Sequence, residues 1–127
     1  MNIFGIGTDI IQVDRIKKSL KKKDFIHRIF SKKEIKKCKR ISNSSNCFAK
    51  RFAAKEAFSK ALGTGISRGV NFNEIIILNK KSGKPYISLI GQTKKIFKRK
   101  IKNKKTKIAL SISDEKKYAV AFVTISI

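Results

Sequence analysis

Acidic residues are scarce in this chain of 127 residues: Asp plus Glu number 8 against 32 Lys plus Arg. Two of the acids stand in apolar company. Asp9 lies in Gly5-Ile6-Gly7-Thr8-Asp9-Ile10-Ile11, and Glu56 in Arg51-Phe52-Ala53-Ala54-Lys55-Glu56-Ala57-Phe58-Ser59-Lys60. In a strand, odd positions share a face, so Gly5 and Gly7 flank Asp9 without side chains. That pattern predicts a carboxylate on open backbone that a bulky anion can approach. Glu56 shares a helical face with Phe52 and Lys60, each four residues away. If the two acids converge, they offer hard oxygen ligands for Mg²⁺, completed by diphosphate oxygens and water. Lys60 and Arg51 would add positive charge around the same anion. Plainer readings compete. Asp9 also fits the end of a strand, and Glu56 with Lys60 fits a surface pair worth a few tenths of a kcal/mol.

The elements that must position these residues follow from periodicity. Residues 2–13 predict a strand, and 14–23 a basic helix carrying Ile16 and Leu20. A short helical piece at 24–30 follows. Ser31-Lys32-Lys33-Glu34 reads as a capping box opening a helix that ends near Ile41. The polar stretch 42–46 forms a loop that can cap the next helix. That helix, about 46–62, has a broad apolar face and ends at Gly63 and Gly65. Strands are expected at 74–79 and 85–90, a helix near 92–102, and a terminal hairpin from 107–113 and 117–126. The sum is one α+β domain, 1–127, with a mainly antiparallel sheet packed on one long central helix.

Composition excludes several classes. Apolar residues make up 41%, enough for a core. No apolar run suits a membrane span. The N-terminus lacks a basic region and carries Asp9, which predicts no secretory signal and a cytoplasmic protein. Cys38 and Cys47 lack metal-ligand spacing and His27 is the sole histidine, so zinc is unsupported. Reduced thiols are the expected state of both cysteines. The net charge of +24 calls for anionic company. It comes from 26 Lys and only 6 Arg, whereas readers of phosphate and bases lean on Arg. Much of this charge is therefore expected on solvated faces, including the seven basic residues from Lys98 to Lys107, with Phe97 and Ile101 turned inward.

Two motifs carry a family likeness. Gly5-Ile6-Gly7-Thr8-Asp9-Ile10 resembles the opening signature of the holo-acyl-carrier-protein synthases. The segment from Arg51 through Lys55-Glu56, Lys60 and Gly63-Thr64-Gly65-Ile66 resembles that family's long central motif. Asn79 with Gly83-Lys84-Pro85, the strand Ser111-Ile112-Ser113 and Tyr118-Ala119-Val120-Ala121 fall in matching places. The resemblance implies a 4′-phosphopantetheinyl transferase-like fold. It implies transfer of 4′-phosphopantetheine from coenzyme A to a serine of apo-acyl carrier protein, with release of 3′,5′-ADP. It assigns Mg²⁺ to Asp9 and Glu56, and Lys60 to the diphosphate. Arg51 and Gly83-Lys84-Pro85 fall to the nucleotide part of coenzyme A. It further implies a homotrimer with active sites between subunits. Some members carry His where this chain has Asp114, so Asp114 is expected outside the site. An acyl carrier protein is acidic, and the resemblance docks it on Arg15, with Lys18 and Lys22 nearby. Such charges steer encounter more than they add affinity. A metal-bound water or a carboxylate near Asp9 would take the serine proton. The rival reading is a small basic nucleic-acid-binding or ribosome-associated protein; no nucleic-acid motif and no aromatic interleaving support it.

Overall fold

A computed structural model describes residues 1–65 and 68–127; Ile66, the last residue of the central motif, lies outside the described residues. Strand β1 (Ile3–Gln12) leads into helix α1 (Val13–Ser19), then α2 (Lys23–Ile29), α3 (Lys32–Lys39) and the long α4 (Ser44–Leu62). Strands β2 (Ile75–Asn79) and β3 (Pro85–Leu89) form a hairpin. Helix α5 (Gly91–Lys100) and strands β4 (Lys107–Asp114) and β5 (Tyr118–Ser126) complete the chain. The expected α+β class and antiparallel pairing hold. The strands divide into two sheets, β1-β5-β4 and β2-β3, where the sequence suggested one.

Alternation decides what each face of the three-stranded sheet does. Ala119, Ala121, Val123 and Ile125 of β5 are buried and pair with β1 residues Ile11, Asp9, Gly7 and Gly5. This face packs on α4, whose Ala53, Ala57 and Ala61 are buried. Small residues on both layers let the backbones nearly touch. A Cβ added at Gly5 would fall 1.9 Å from the Ala61 carbonyl oxygen, and one at Gly7 1.9 Å from that of Ala57. The glycines therefore do not leave the open patch expected beside Asp9; α4 fills it. The opposite face leaves Ile6, Ile10, Val120 and Phe122 exposed.

α4 is buried on nearly every side, which explains an interior lysine. Lys55 is 0% exposed, and its Nζ donates to Glu34 Oε1 (2.8 Å), the Phe72 carbonyl (2.8 Å) and the Ile75 carbonyl. Burial pushes the ammonium down to about 8 despite the Glu34 charge. Glu34 forms the expected capping box with Ser31 and also accepts from the Ile77 amide at 3.1 Å. One buried ion pair thus joins α3, α4 and β2.

Four local expectations need correction. α1 stops at Ser19, four residues short. α4 starts at Ser44, and its cap residue Asn43 makes no side-chain cap bond. Asn46 lies inside the helix and instead donates to Asp114 Oδ2 (3.1 Å) and the Glu115 carbonyl (3.0 Å). Cys38 and Cys47 are bonded to each other rather than reduced, with Cα atoms 5.4 Å apart. The spacing hid this because α3 and α4 fold back on one another and bring the two cysteines within bridging range.

Candidate active site

Asp9 and Glu56 meet. β1 turns its odd positions toward α4, and α4 presents Glu56 and Lys60 one turn apart on the side facing β1. The two acids line a cleft of about 360 Å³ with Arg15, Ser19, Phe25 and Phe52. Lys60 Nζ donates to the Thr8 carbonyl (3.0 Å) and to Asp9 Oδ1 (3.4 Å). The cation thus bridges to the strand, and no Glu56–Lys60 ion pair forms among the described residues. Burial raises the Asp9 carboxyl, with Lys60 and Arg15 pulling it back. Burial also raises Glu56, the Asp9 charge adds to this, and Lys60 offsets part. Two half-buried carboxylates that repel each other form an all-oxygen donor pair that a hard divalent cation would relieve.

Arg51 does not join them. It lies five positions before Glu56, which is roughly 140° around the helix axis. It opens on a second cavity, about 430 Å³, with Lys37, Lys50, Asn79, Gly83 and Asp114. Arg51 Nη1 donates to the Cys47 carbonyl (3.3 Å) and Nη2 to Asn79 Oδ1 (3.1 Å). Its Nε is buried and has no partner among the described residues, a donor held ready for an acceptor. Lys37 Nζ donates to the same Asn79 oxygen at 2.6 Å. Burial, then the charges of Arg51 and Lys50, hold the Lys37 ammonium below its usual range. So many cations around one hollow suit an anion.

Of the loop residues, Gly83 lines this cavity, while Lys84 and Pro85 complete the turn without lining it. Arg15 stands on the wall of the first cleft, whereas Lys18 and Lys22 are exposed on the surface beyond it. Asp114, expected outside the site, lines the second cavity; its place at the end of β4, beside the Ser111-Ile112-Ser113 motif, was the available signal. Lys37 had none, because it sits in a run of lysines that all read alike.

The pattern of the 4′-phosphopantetheinyl transferase superfamily matches residues 5–123. A holo-[acyl-carrier-protein] synthase of Pelagibacter ubique is 51% identical over 123 residues, covering 97% of this chain and 96% of the relative. The crystal structure of the corresponding synthase from Neisseria meningitidis superposes with a TM-score of 0.86 at 37% identity, covering 98% of this chain and 99% of that one. That of a Bacillus anthracis synthase in complex with CoA (3′,5′-ADP) gives 0.80 at 38% identity, covering 98% and 97%. The chain belongs to the 4′-phosphopantetheinyl transferase superfamily. This decides between the enzyme and the nucleic-acid-binding reading in favour of the enzyme. Among the described residues, no helix is long and apolar enough to cross a membrane.

Proposed function

We infer that this protein transfers 4′-phosphopantetheine from coenzyme A to a serine hydroxyl of apo-acyl carrier protein and releases 3′,5′-ADP, a step of fatty-acid biosynthesis. The observation that carries the reading is the cleft shared by Asp9 and Glu56, with Lys60 bonded to Asp9 beside it, within a family match that spans nearly the whole chain. The serine hydroxyl gives up its proton to a carboxylate of the cleft or to water, its oxygen attacks the β-phosphorus in line, and the bond from that phosphorus to the departing 3′,5′-ADP breaks. Negative charge then gathers on the equatorial and leaving oxygens. Lys60, about half exposed at the cleft's edge, offsets it. Asp9 and Glu56 would hold Mg²⁺, which when bound neutralises charge on the diphosphate. Phe25 and Phe52 give the same cleft part of an apolar wall.

In this reading the second cavity takes the nucleotide part of coenzyme A, with Arg51, Gly83 and the adjoining Lys84 and Pro85. The unpartnered Arg51 Nε and the cations around it support that role. The two cavities share no lining residue. A homotrimer would bring one subunit's cleft to its neighbour's cavity, and the exposed apolar face of Ile6, Ile10, Val120 and Phe122 gives it a surface to bury. Arg15, with Lys18 and Lys22, would dock the acidic carrier in the cytoplasm. The test is mass spectrometry of an apo-acyl carrier protein after incubation with this protein, coenzyme A and Mg²⁺. A carrier heavier by one phosphopantetheine is expected; an unchanged carrier would overturn the inference.

A further inference from the structure

The second cavity holds one group of the wrong sign for an anion site. Lys37, Lys50, Arg51 and Lys80 line it, and each can only donate hydrogen bonds. Asn79 is already committed: its oxygen accepts from Lys37 and Arg51, and its amide donates to the Gly83 carbonyl at 3.0 Å. Asn46 spends its amide on Asp114 and Glu115. Asp114 carries the sole carboxylate on the cavity wall among the described residues. Its Oδ2 accepts one bond, from Asn46, and its Oδ1 stands 3.9 Å from Lys50 Nζ. A carboxylate accepts about four hydrogen bonds, so acceptor capacity is left over.

This carboxylate is fixed rather than loose. Asn46 clamps it from within α4, and the Glu115 amide closes the β4–β5 turn on the Tyr118 carbonyl at 2.9 Å. A phosphate is disfavoured against it, because like charges repel and Lys50 at 3.9 Å offsets the carboxylate only in part. Asn43 and the Asn46 oxygen also line the cavity but are neutral, so Asp114 is the charged acceptor that orients an entering nucleotide. Its phosphates go to Arg51 and Lys37, and a neutral N–H or O–H donor faces Asp114. We propose that Asp114 is a specificity-determining residue that accepts a hydrogen bond from the nucleoside part of the donor substrate. The donor is the exocyclic amine of the base or the free hydroxyl of the ribose. The proposal rests on the reading of this cavity as the nucleotide site.

The test compares kcat/KM for coenzyme A, its hypoxanthine analogue and its 2′-deoxyribose analogue. It uses the full-length protein and its Asp114→Ala and Asp114→Asn variants. In the unaltered protein one analogue should be poorer than coenzyme A by roughly tenfold to a hundredfold, the worth of a hydrogen bond to a charged group. Asp114→Ala should abolish that penalty. Loss of the hypoxanthine penalty identifies the amine, and loss of the deoxyribose penalty identifies the hydroxyl. Asp114→Asn keeps the side chain's shape and decides the matter if the alanine variant does not fold. Its amide can donate to the hypoxanthine oxygen and should shift preference toward that analogue if the amine is read. It should weaken the deoxyribose penalty if the hydroxyl is read. Penalties that persist unchanged in the variants, or an unaltered protein indifferent to both changes, overturn the proposal. Failure of the unaltered protein to use coenzyme A at all would overturn the earlier reading instead.

Discussion

Asp9 and Glu56 each sit within reach of the other's charge, with Lys60 beside Asp9 and burial on both. Such a pair costs the fold something, because each carboxylate makes the other harder to ionise. Asp9→Asn or Glu56→Gln should therefore leave the melting temperature unchanged or higher. Either should lower the rate of 3′,5′-ADP release by about 10²-fold or more, since a charge aimed at the reacting phosphates is lost. Near-normal turnover in either variant would refute the metal assignment. Glu74 behaves in the opposite sense. Burial alone would raise its carboxyl, but hydrogen bonds from Asn71, Thr93 and Gln92 outweigh this and hold it below its ordinary 4.5. The unfolded chain then takes up this proton first on acidification. The stability that Glu74 contributes is present above pH 4.5 and is lost as pH falls through the folded value. Thermal melts from pH 6 to pH 3 should decline less steeply for Glu74→Gln than for the unaltered chain.

At the scale of elements, the contact between β1 and α4 sets the site. Gly7→Ala would drive a methyl into the Ala57 carbonyl, and neither backbone can yield without separating the layers. A loss of about 3 kcal/mol or more is expected in urea unfolding, at or beyond the upper end for an overpacked core. A loss below 1 kcal/mol would show the layers to be further apart than described. Most elements were legible because their patterns are local. The capping box at Ser31 and Glu34, the apolar face of α4 and the alternation along β5 all report themselves within a dozen residues. What stayed hidden was non-local. The capping box alone accounts for Glu34, so nothing in the sequence exposes its bond to Lys55, 21 residues away. The reason for Gly5 and Gly7 is likewise invisible until α4 lies against them. Arg51 and Glu56 read as neighbours in one motif, yet the helix turns them to different hollows.

At the scale of the whole molecule, the sheet's outer face asks for cover. Phe122 is 45% exposed among other apolar side chains, although its strand neighbours Ala121 and Val123 are buried. If copies associate through this face, Phe122→Asp should convert the assembly to monomers in sedimentation and abolish transfer in the same step. A variant that keeps the parent's mass and rate would show that the face meets no second copy. The separation of Asp9 and Arg51 into two hollows then has a genetic consequence. A chain stripped of the Asp9 carboxylate still offers an intact Arg51 hollow, and a chain stripped of the Arg51 guanidinium still offers an intact acid pair. If the proposed trimer sets each cleft against a neighbour's cavity, two such dead proteins, dissociated and mixed, should complement: some seams of the hybrid assembly would inherit both sound halves and turn over again, whereas either parent alone would stay silent.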